Sequence, residues 1–188
     1  FGLGALFFGL EVMSGGVKPL RSLQAFQDLT VSMSDNPILG VIVGTLFTVI
    51  VQSSSATIGI LQTLLGEGLV DLQAAIPVLF GDNIGTTITA VLASIGASVG
   101  AKRAAFAHVI FNVLGATVFL IFLVPFERYV NWLQTSMDLE PEMTIAFAHG
   151  SFNIANAVVQ FPFIAVLAWI VIKQIGRASC RERVSTSV

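Results

Sequence analysis

Long apolar segments alternate along this chain with short polar interruptions, and few segments show the polar face of a soluble helix. Phe1 to Val17 is apolar except for Glu11 and Ser14, with Gly2, Gly4 and Gly9 offering surface for close helix packing. Lys18-Pro19 closes that segment. Leu20, Leu23, Phe26, Gln27 and Val31 then mark an amphipathic stretch carrying Arg21 and Asp28, a pattern suited to lying along a membrane surface. Ser34-Asp35-Asn36-Pro37 is a turn-and-cap cluster that sets Pro37 at the opening of the next helix.

The next two segments are too long for single straight spans. Ile38 to Leu65 as one helix would extend ~42 Å at 1.5 Å per residue, against a hydrocarbon core of roughly 30 Å. The run Gln52-Ser53-Ser54-Ser55-Ala56-Thr57 divides it, and each half then reaches about mid-membrane. After Gly66-Glu67-Gly68, the segment Val70 to Val99 repeats the design, with Pro77 and Gly81-Asp82-Asn83-Ile84-Gly85-Thr86-Thr87 as the expected break. Ala104 to Val124 and Met143 to Ile172 follow, and they contain an internal repeat. Ala105-Phe-Ala-His108-Val-Ile-Phe111-Asn112 matches Ala146-Phe-Ala-His149-Gly-Ser-Phe152-Asn153. Between the copies, 127–142 reads as a polar loop with Tyr129 and Trp132 as interface anchors.

Composition narrows the class. The 188 residues are 55% hydrophobic and 11% charged with a mean hydropathy of +0.88, which indicates an all-α integral membrane protein. A net charge of −2 excludes a strongly basic nucleic-acid partner, and the only cysteine, Cys180, excludes a disulfide framework. Phe1 opens in mid-pattern, so the chain reads as a fragment. Residues 175–188 lack periodicity and resemble translated adaptor sequence; they are set aside as a non-native tail, leaving 1–174 as one transmembrane unit. Lys18/Arg21, Lys102/Arg103 and Lys173 would share the cytoplasmic side if both interrupted segments behave alike, with the acidic 138–142 loop outside. A mixed arrangement divides the basic residues.

Polar groups at membrane depth are costly unless they bind one another, the backbone or a ligand. A helix that starts inside the membrane offers unpaired N–H groups and a partial positive charge to an anion, and Ser53, Ser54, Ser55 and Thr57 add hydroxyl donors there. Gln52 and Asn83 carbonyl oxygens, with Thr86 and Thr87, are hard ligands of the kind sodium accepts. Paired interruptions of this type are what a transporter site looks like in sequence. Close helix packing by small residues is the plainer reading, but it accounts poorly for Gln52 with three serines or for Asp82-Asn83. Asp82 is open to three roles: sodium ligand, proton carrier or structural partner. His108 and His149 each share a helix face with an Asn one turn on; hydrogen bonding between helices is the expected use, with a proton relay as the alternative. No enzyme is expected, because a serine without a neighbouring general base is a poor nucleophile.

Gln52-Ser-Ser-Ser-Ala-Thr57, Gly81-Asp-Asn-Ile-Gly-Thr-Thr87 and the two His-x-x-Phe-Asn segments together resemble the bacterial branch of the type II sodium-dependent phosphate cotransporter family. Phe8-Gly-Leu-Glu-Val-Met-Ser14 and Lys18-Pro-Leu fit as well. The resemblance implies half of an inverted-repeat transporter, whose second repeat lies elsewhere in the same polypeptide. It further implies a re-entrant hairpin tipped by the serine motif and a broken crossing helix at the second motif. Phosphate contacts are carried over to Gln52, Ser53, Ser54, Ser55, Thr57, Asn83, Gly85, Thr86 and Thr87, and sodium contacts to Gln52, Ser54, Asp82 and Asn83. Asp82 departs from the family pattern, which has a small residue there. The implied activity is sodium-phosphate symport across the bacterial inner membrane by a multi-pass protein, with co-transported sodium and no other cofactor. Carriage of sulfate or a dicarboxylate, or a non-transporting scaffold, are the rival readings.

Overall fold

The computed structural model describes residues 2–176, so the proposed non-native tail lies outside the described residues except for its first two positions. The described residues are helical, with no strand among them. Helix α1 (Gly2–Val17) leads through a 3₁₀ turn at Lys18–Ser22 into α2 (Gln24–Asp35). Asn36 then caps α3 (Pro37–Val51), its side chain accepting from the Ile38 N–H at 3.1 Å. Pro37 occupies the first turn, where its missing N–H would have had no helical partner.

Helix α3 has two unlike faces. Ile38, Ile42, Leu46 and Ile50 recur every fourth residue and are exposed, an apolar row suited to lipid. Gly40, Gly44 and Thr48 recur at the same interval on the buried face. The chain reverses at Gln52, in the left-handed region at φ 55°, and at the extended Ser53. Ser53 caps α4 (Ser54–Gly66) by accepting from the Ala56 N–H at 3.3 Å. Together α3 and α4 form a tight helical hairpin with Gln52-Ser53 at its tip.

Helix α5 (Leu72–Gly85) runs alongside α3 in the same direction. Gly40 faces Pro77, Gly44 faces Val78, Gly81 faces Val41, and Gly85 faces Thr45 and Thr48. A Cβ built on Gly44 would lie 2.1 Å from the Val78 carbonyl oxygen, and one on Gly81 would lie 2.1 Å from that of Val41. The two backbones are therefore in direct contact, through a small-x-x-x-small pair on each helix. At its start, α5 is capped by Asp71, which accepts from the Ala74 N–H at 2.7 Å and from the Ser34 hydroxyl at 3.1 Å.

This seam corrects the expected break at Gly81–Gly85. Helix α5 continues through Pro77, Gly81 and Asn83, and the interruption falls at Thr86-Thr87 before α6 (Ile88–Ala93). Gly81 and Gly85 serve close approach to α3 rather than a turn. Both threonines keep right-handed helical angles, so the interruption is a kink and not an unwound loop.

Helix α7 (Val99–Ile121) returns, and α9 (Pro141–Gln160) climbs again, continuing past a 3₁₀ turn at Phe161–Phe163 into α10 (Ile164–Ile175). Among the described residues, three helical stretches are long and apolar enough to cross a membrane: Leu72–Ala93, Val99–Ile121 and Pro141–Ile175. Between α7 and α9 the expected polar loop is instead a helix, α8 (Leu123–Met137). It buries Leu123, Phe126, Val130 and Leu133 at three- and four-residue spacing, a helical period that its polar residues obscure. Tyr129 and Trp132 are exposed on it. Helices α7 and α9 cross antiparallel: Gln160 donates to the Phe111 carbonyl at 2.8 Å and Gly115 abuts Asn156.

The basic residues divide between the two ends. At one end Lys18 pairs with Glu67 at 3.6 Å, while the Ser14 hydroxyl and the Arg21 guanidinium also donate to Glu67. At the other, Arg103 donates to the Gly176 carbonyl, with Lys102 and Lys173 nearby in sequence. The α3–α4 hairpin starts and finishes at the Glu67 end, whereas α5 and α6 lead from that end towards the one that holds Arg103. Phe80 of α5 packs on Phe119, Phe126 and Phe152 at centroid distances of 5.9, 5.6 and 4.9 Å, joining α5, α7, α8 and α9.

Candidate functional site at the hairpin tip

Because α3 and α5 run in register, the start of α4 and the end of α5 stand at the same height. They open on a cavity of about 320 Å³. Ser54, Asn83 and Thr86 form one side; His108, Phe111 and Asn112 of α7, and His149 and Asn153 of α9, form the other. The aromatic cluster anchors this geometry, since Phe80 lies one turn before Asn83 and Phe152 immediately precedes Asn153.

The two sides of the hairpin–α5 junction differ in hydrogen-bonding character. Asn83 spends one amide N–H on the Leu79 carbonyl (3.0 Å), and the Thr86 hydroxyl donates to the Asp82 carbonyl (2.8 Å). The Asn83 carbonyl oxygen and the Thr86 lone pairs remain, so α5 presents acceptors. At the start of α4, the Ser54 and Ser55 N–H groups have no partner among the described residues, so α4 presents donors and the positive end of its dipole. No Lys, Arg, Asp or Glu lines the cavity.

The remaining sequence candidates go elsewhere. Gln52, Ser53 and Ser55 are exposed at the hairpin tip. Gly85 packs on Thr45 and Thr48, and the buried Thr87 donates to the Ile84 carbonyl at 2.7 Å. Asp82 turns away from the cavity into the seam and is fully buried. Its Oδ1 accepts from Thr48 at 2.9 Å, and Thr48 Oγ1 lies 3.1 Å from that of Thr57, which also donates to the Ser53 carbonyl. Asp82 Oδ2 has no partner among the described residues. The four residues assigned to sodium thus divide: Ser54 and Asn83 border the cavity, Asp82 lies in the seam, and Gln52 is at the exposed tip. Among the described residues no cluster of three or more His, Cys, Asp or Glu forms a metal site.

Thr48 escapes a reading of the sequence, because a threonine in an aliphatic run looks like β-branched filler. Its four-residue spacing from Gly40 and Gly44 is the available signal. The histidines also differ from expectation. Asn112 and Asn153 donate to the carbonyls of His108 and His149 on their own helices, each at 2.9 Å, instead of across to a neighbour. The interhelical polar bond comes from Gln160, which also donates to Asn156 at 2.6 Å.

In comparison with known proteins, the model of the Na+/Pi-cotransporter family aligns with residues 5–180, a range that holds both the serine-motif hairpin and the Asn-Ile-Gly-Thr-Thr kink. The chain belongs to that family. The family is one of transporters, not enzymes, and with three apolar spans the chain is a membrane protein. It is 37% identical over 163 residues to the uncharacterized protein YqeW of Bacillus subtilis (strain 168), covering 86% of this chain and 51% of the relative. It is 25% identical to the putative inorganic phosphate export protein YjbB of Escherichia coli (strain K12), covering 89% of this chain and 30% of that protein. It is 35% identical over 148 residues to the human sodium-dependent phosphate transport protein 2B, covering 73% of this chain and 21% of that protein. The chain therefore spans about half the length of the first relative and less than a third of the other two. No solved structure matches it.

Proposed function

We propose that this cotransporter-family chain is one repeat of a sodium-coupled phosphate symporter of the bacterial inner membrane, working by alternating access. The α3–α4 hairpin is its re-entrant element and the kinked α5–α6 its crossing helix. A second repeat of the same polypeptide supplies the opposing half of the site. The observation that carries the reading is the meeting of a donor-presenting helix start, at Ser54, with an acceptor-rich kink, at Asn83 and Thr86, around one cavity. An oxyanion suits the first and sodium the second, which is the division of labour found where discontinuous helices bind ion and solute together. The relatives named for sodium-dependent phosphate transport and for phosphate export support the substrate that their names have in common.

Asp82 is assigned to sodium through the seam rather than through the cavity. Its Oδ2, unpartnered among the described residues, and the buried Thr48 and Thr57 hydroxyls are hard oxygen groups in the seam, and Thr57 links them to the Ser53 carbonyl at the exposed tip. The test is flux of radiolabelled phosphate into liposomes holding the intact parent transporter, with a sodium gradient against choline. Sodium-driven flux that Ser54→Ala and Asn83→Ala each reduce at unchanged expression is expected. Equal flux in the two media rejects coupling. Stronger inhibition by sulfate or a dicarboxylate than by unlabelled phosphate rejects the substrate.

A further inference from the structure

The cavity has a wall that the proposed function leaves unused. A phosphate ion carries one to two negative charges, yet no Lys or Arg lines the space it would occupy. The two histidines are the lining side chains able to carry positive charge. Each stands one helical turn before an Asn whose amide donates to that histidine's own carbonyl. That bond ties the asparagine to its own helix and leaves the imidazole uncommitted: neither imidazole has a hydrogen-bond partner among the described residues. An imidazole that faces a polar cavity without a protein partner offers a donor to whatever fills the cavity.

The internal repeat explains why there are two. The same Ala-Phe-Ala-His-x-x-Phe-Asn octapeptide lies in α7 and in α9, which cross antiparallel, so the copies reach one cavity from opposite directions. Their exposure differs. His149 is half-buried, with Asn153 beside it, and His108 is exposed just downstream of Lys102 and Arg103 at the basic end. Resting on the phosphate reading of the cavity, we propose that His149 is a substrate-binding residue that donates to the bound oxyanion opposite Ser54, and that His108 is its counterpart at the mouth, drawing the anion in. Charge-assisted bonds of the first kind are stronger than neutral ones. Attraction at the exposed mouth acts mainly on encounter and is screened by salt.

The experiment uses the intact transporter in liposomes with inorganic phosphate. His149→Phe keeps a planar ring and removes the N–H donor; it is expected to raise KM for phosphate ~10-fold or more with Vmax within about twofold, the size of one lost hydrogen bond to a charged acceptor. His108→Gln is expected to raise KM by only ~2–3-fold, an effect that disappears at high ionic strength. Unchanged KM in both variants, or a fall in Vmax and melting temperature at constant KM, overturns the assignment. Wild-type protein that moves no phosphate overturns the underlying substrate reading, and the control shows it separately. Should His149→Phe fail to insert, acylation of the wild-type histidines by diethyl pyrocarbonate decides the matter: phosphate, but not chloride, should slow modification of His149. Equal rates in the two salts overturn the proposal.

Discussion

Adding one methyl group at Gly44 tests the seam on which the site's alignment depends. The new carbon would stand 2.1 Å from the Val78 carbonyl oxygen and 2.9 Å from the carbonyl carbon. Carbon–oxygen contacts relax near 3.3 Å, so the two helices would have to part by ~1 Å, and neither partner is a side chain that could swing aside. Overpacking a filled interior costs about 1–3 kcal/mol, while alanine in a helix recovers up to ~1 kcal/mol over glycine. Gly44→Ala should therefore destabilise by ~1–2 kcal/mol. Gly150 in α9 supplies the control, because a Cβ there meets nothing within 4 Å. Gly150→Ala should be neutral or stabilising by up to ~1 kcal/mol, leaving a difference of ~2–3 kcal/mol that propensity cannot explain. In thermal unfolding of the purified intact protein, at ~2–4 °C per kcal/mol for a unit of this size, the two variants should separate by roughly 5–10 °C. Phosphate flux measured in parallel should fall for Gly44→Ala, since α3 carries the hairpin tip. Equal melting temperatures would refute the backbone contact between α3 and α5.

Two further outcomes follow from groups away from the cavity. Thr48→Val keeps the shape of the side chain but removes the donor to the buried Asp82 carboxyl, so it should cost about 1–3 kcal/mol, whereas Thr48→Ser should retain most of the stability; valine melting with the wild type would show that the bond is not made. Glu67 is held below its ordinary value of 4.5, first by the Ser14 hydroxyl and then by Lys18 and Arg21, working against a smaller desolvation effect. A carboxylate depressed on folding contributes stability that is fully present above its unfolded value and is lost as the pH falls through the lower folded one. Glu67→Gln should accordingly flatten the melting profile on the acid side below about pH 4.5 and leave the shape near neutrality alone; an unchanged acid limb would remove Glu67 from the clamp.

Much of the fold is legible in the sequence because apolar length and capping chemistry are local. Asn36-Pro37 marks the start of α3. The Gln52–Ser55 run marks the hairpin tip, since four consecutive polar side chains amid aliphatic ones have to leave the lipid-facing helix to find partners. The second interruption falls a few residues beyond its expected place for a physical reason. Glycine in a sequence signals either a bend or a close neighbour, and Gly81 and Gly85 prove to be the latter only once α3 is laid beside them. Helix α8 reads as a loop because its polar residues outnumber the four that it buries. At the site, Ser54, Asn83 and Thr86 stand out in the sequence and do share a cavity. Asp82 cannot be separated from Asn83 in one dimension, although a helix sends adjacent side chains about 100° apart. The histidines are visible as a repeat, but which side of each helix faces the cavity depends on how α7 and α9 cross.

The glycine seam also bears on which parts can move. Two helices that touch backbone to backbone have no side-chain layer in which to slip, and interlocked surfaces of that kind shift as one body or not at all. The hairpin and α5 must then travel as a single slab, carrying the serine tip and its neighbouring kink at fixed spacing through any cycle. A looser seam lies between that slab and the pair α7 and α9, which meet it through side chains: phenylalanine rings against α5, and the Gln62 amide donating to the Glu142 carbonyl from α4. Held on that slab, the Ser54 side and the Asn83 and Thr86 side of the cavity keep their mutual distance whatever the other wall does.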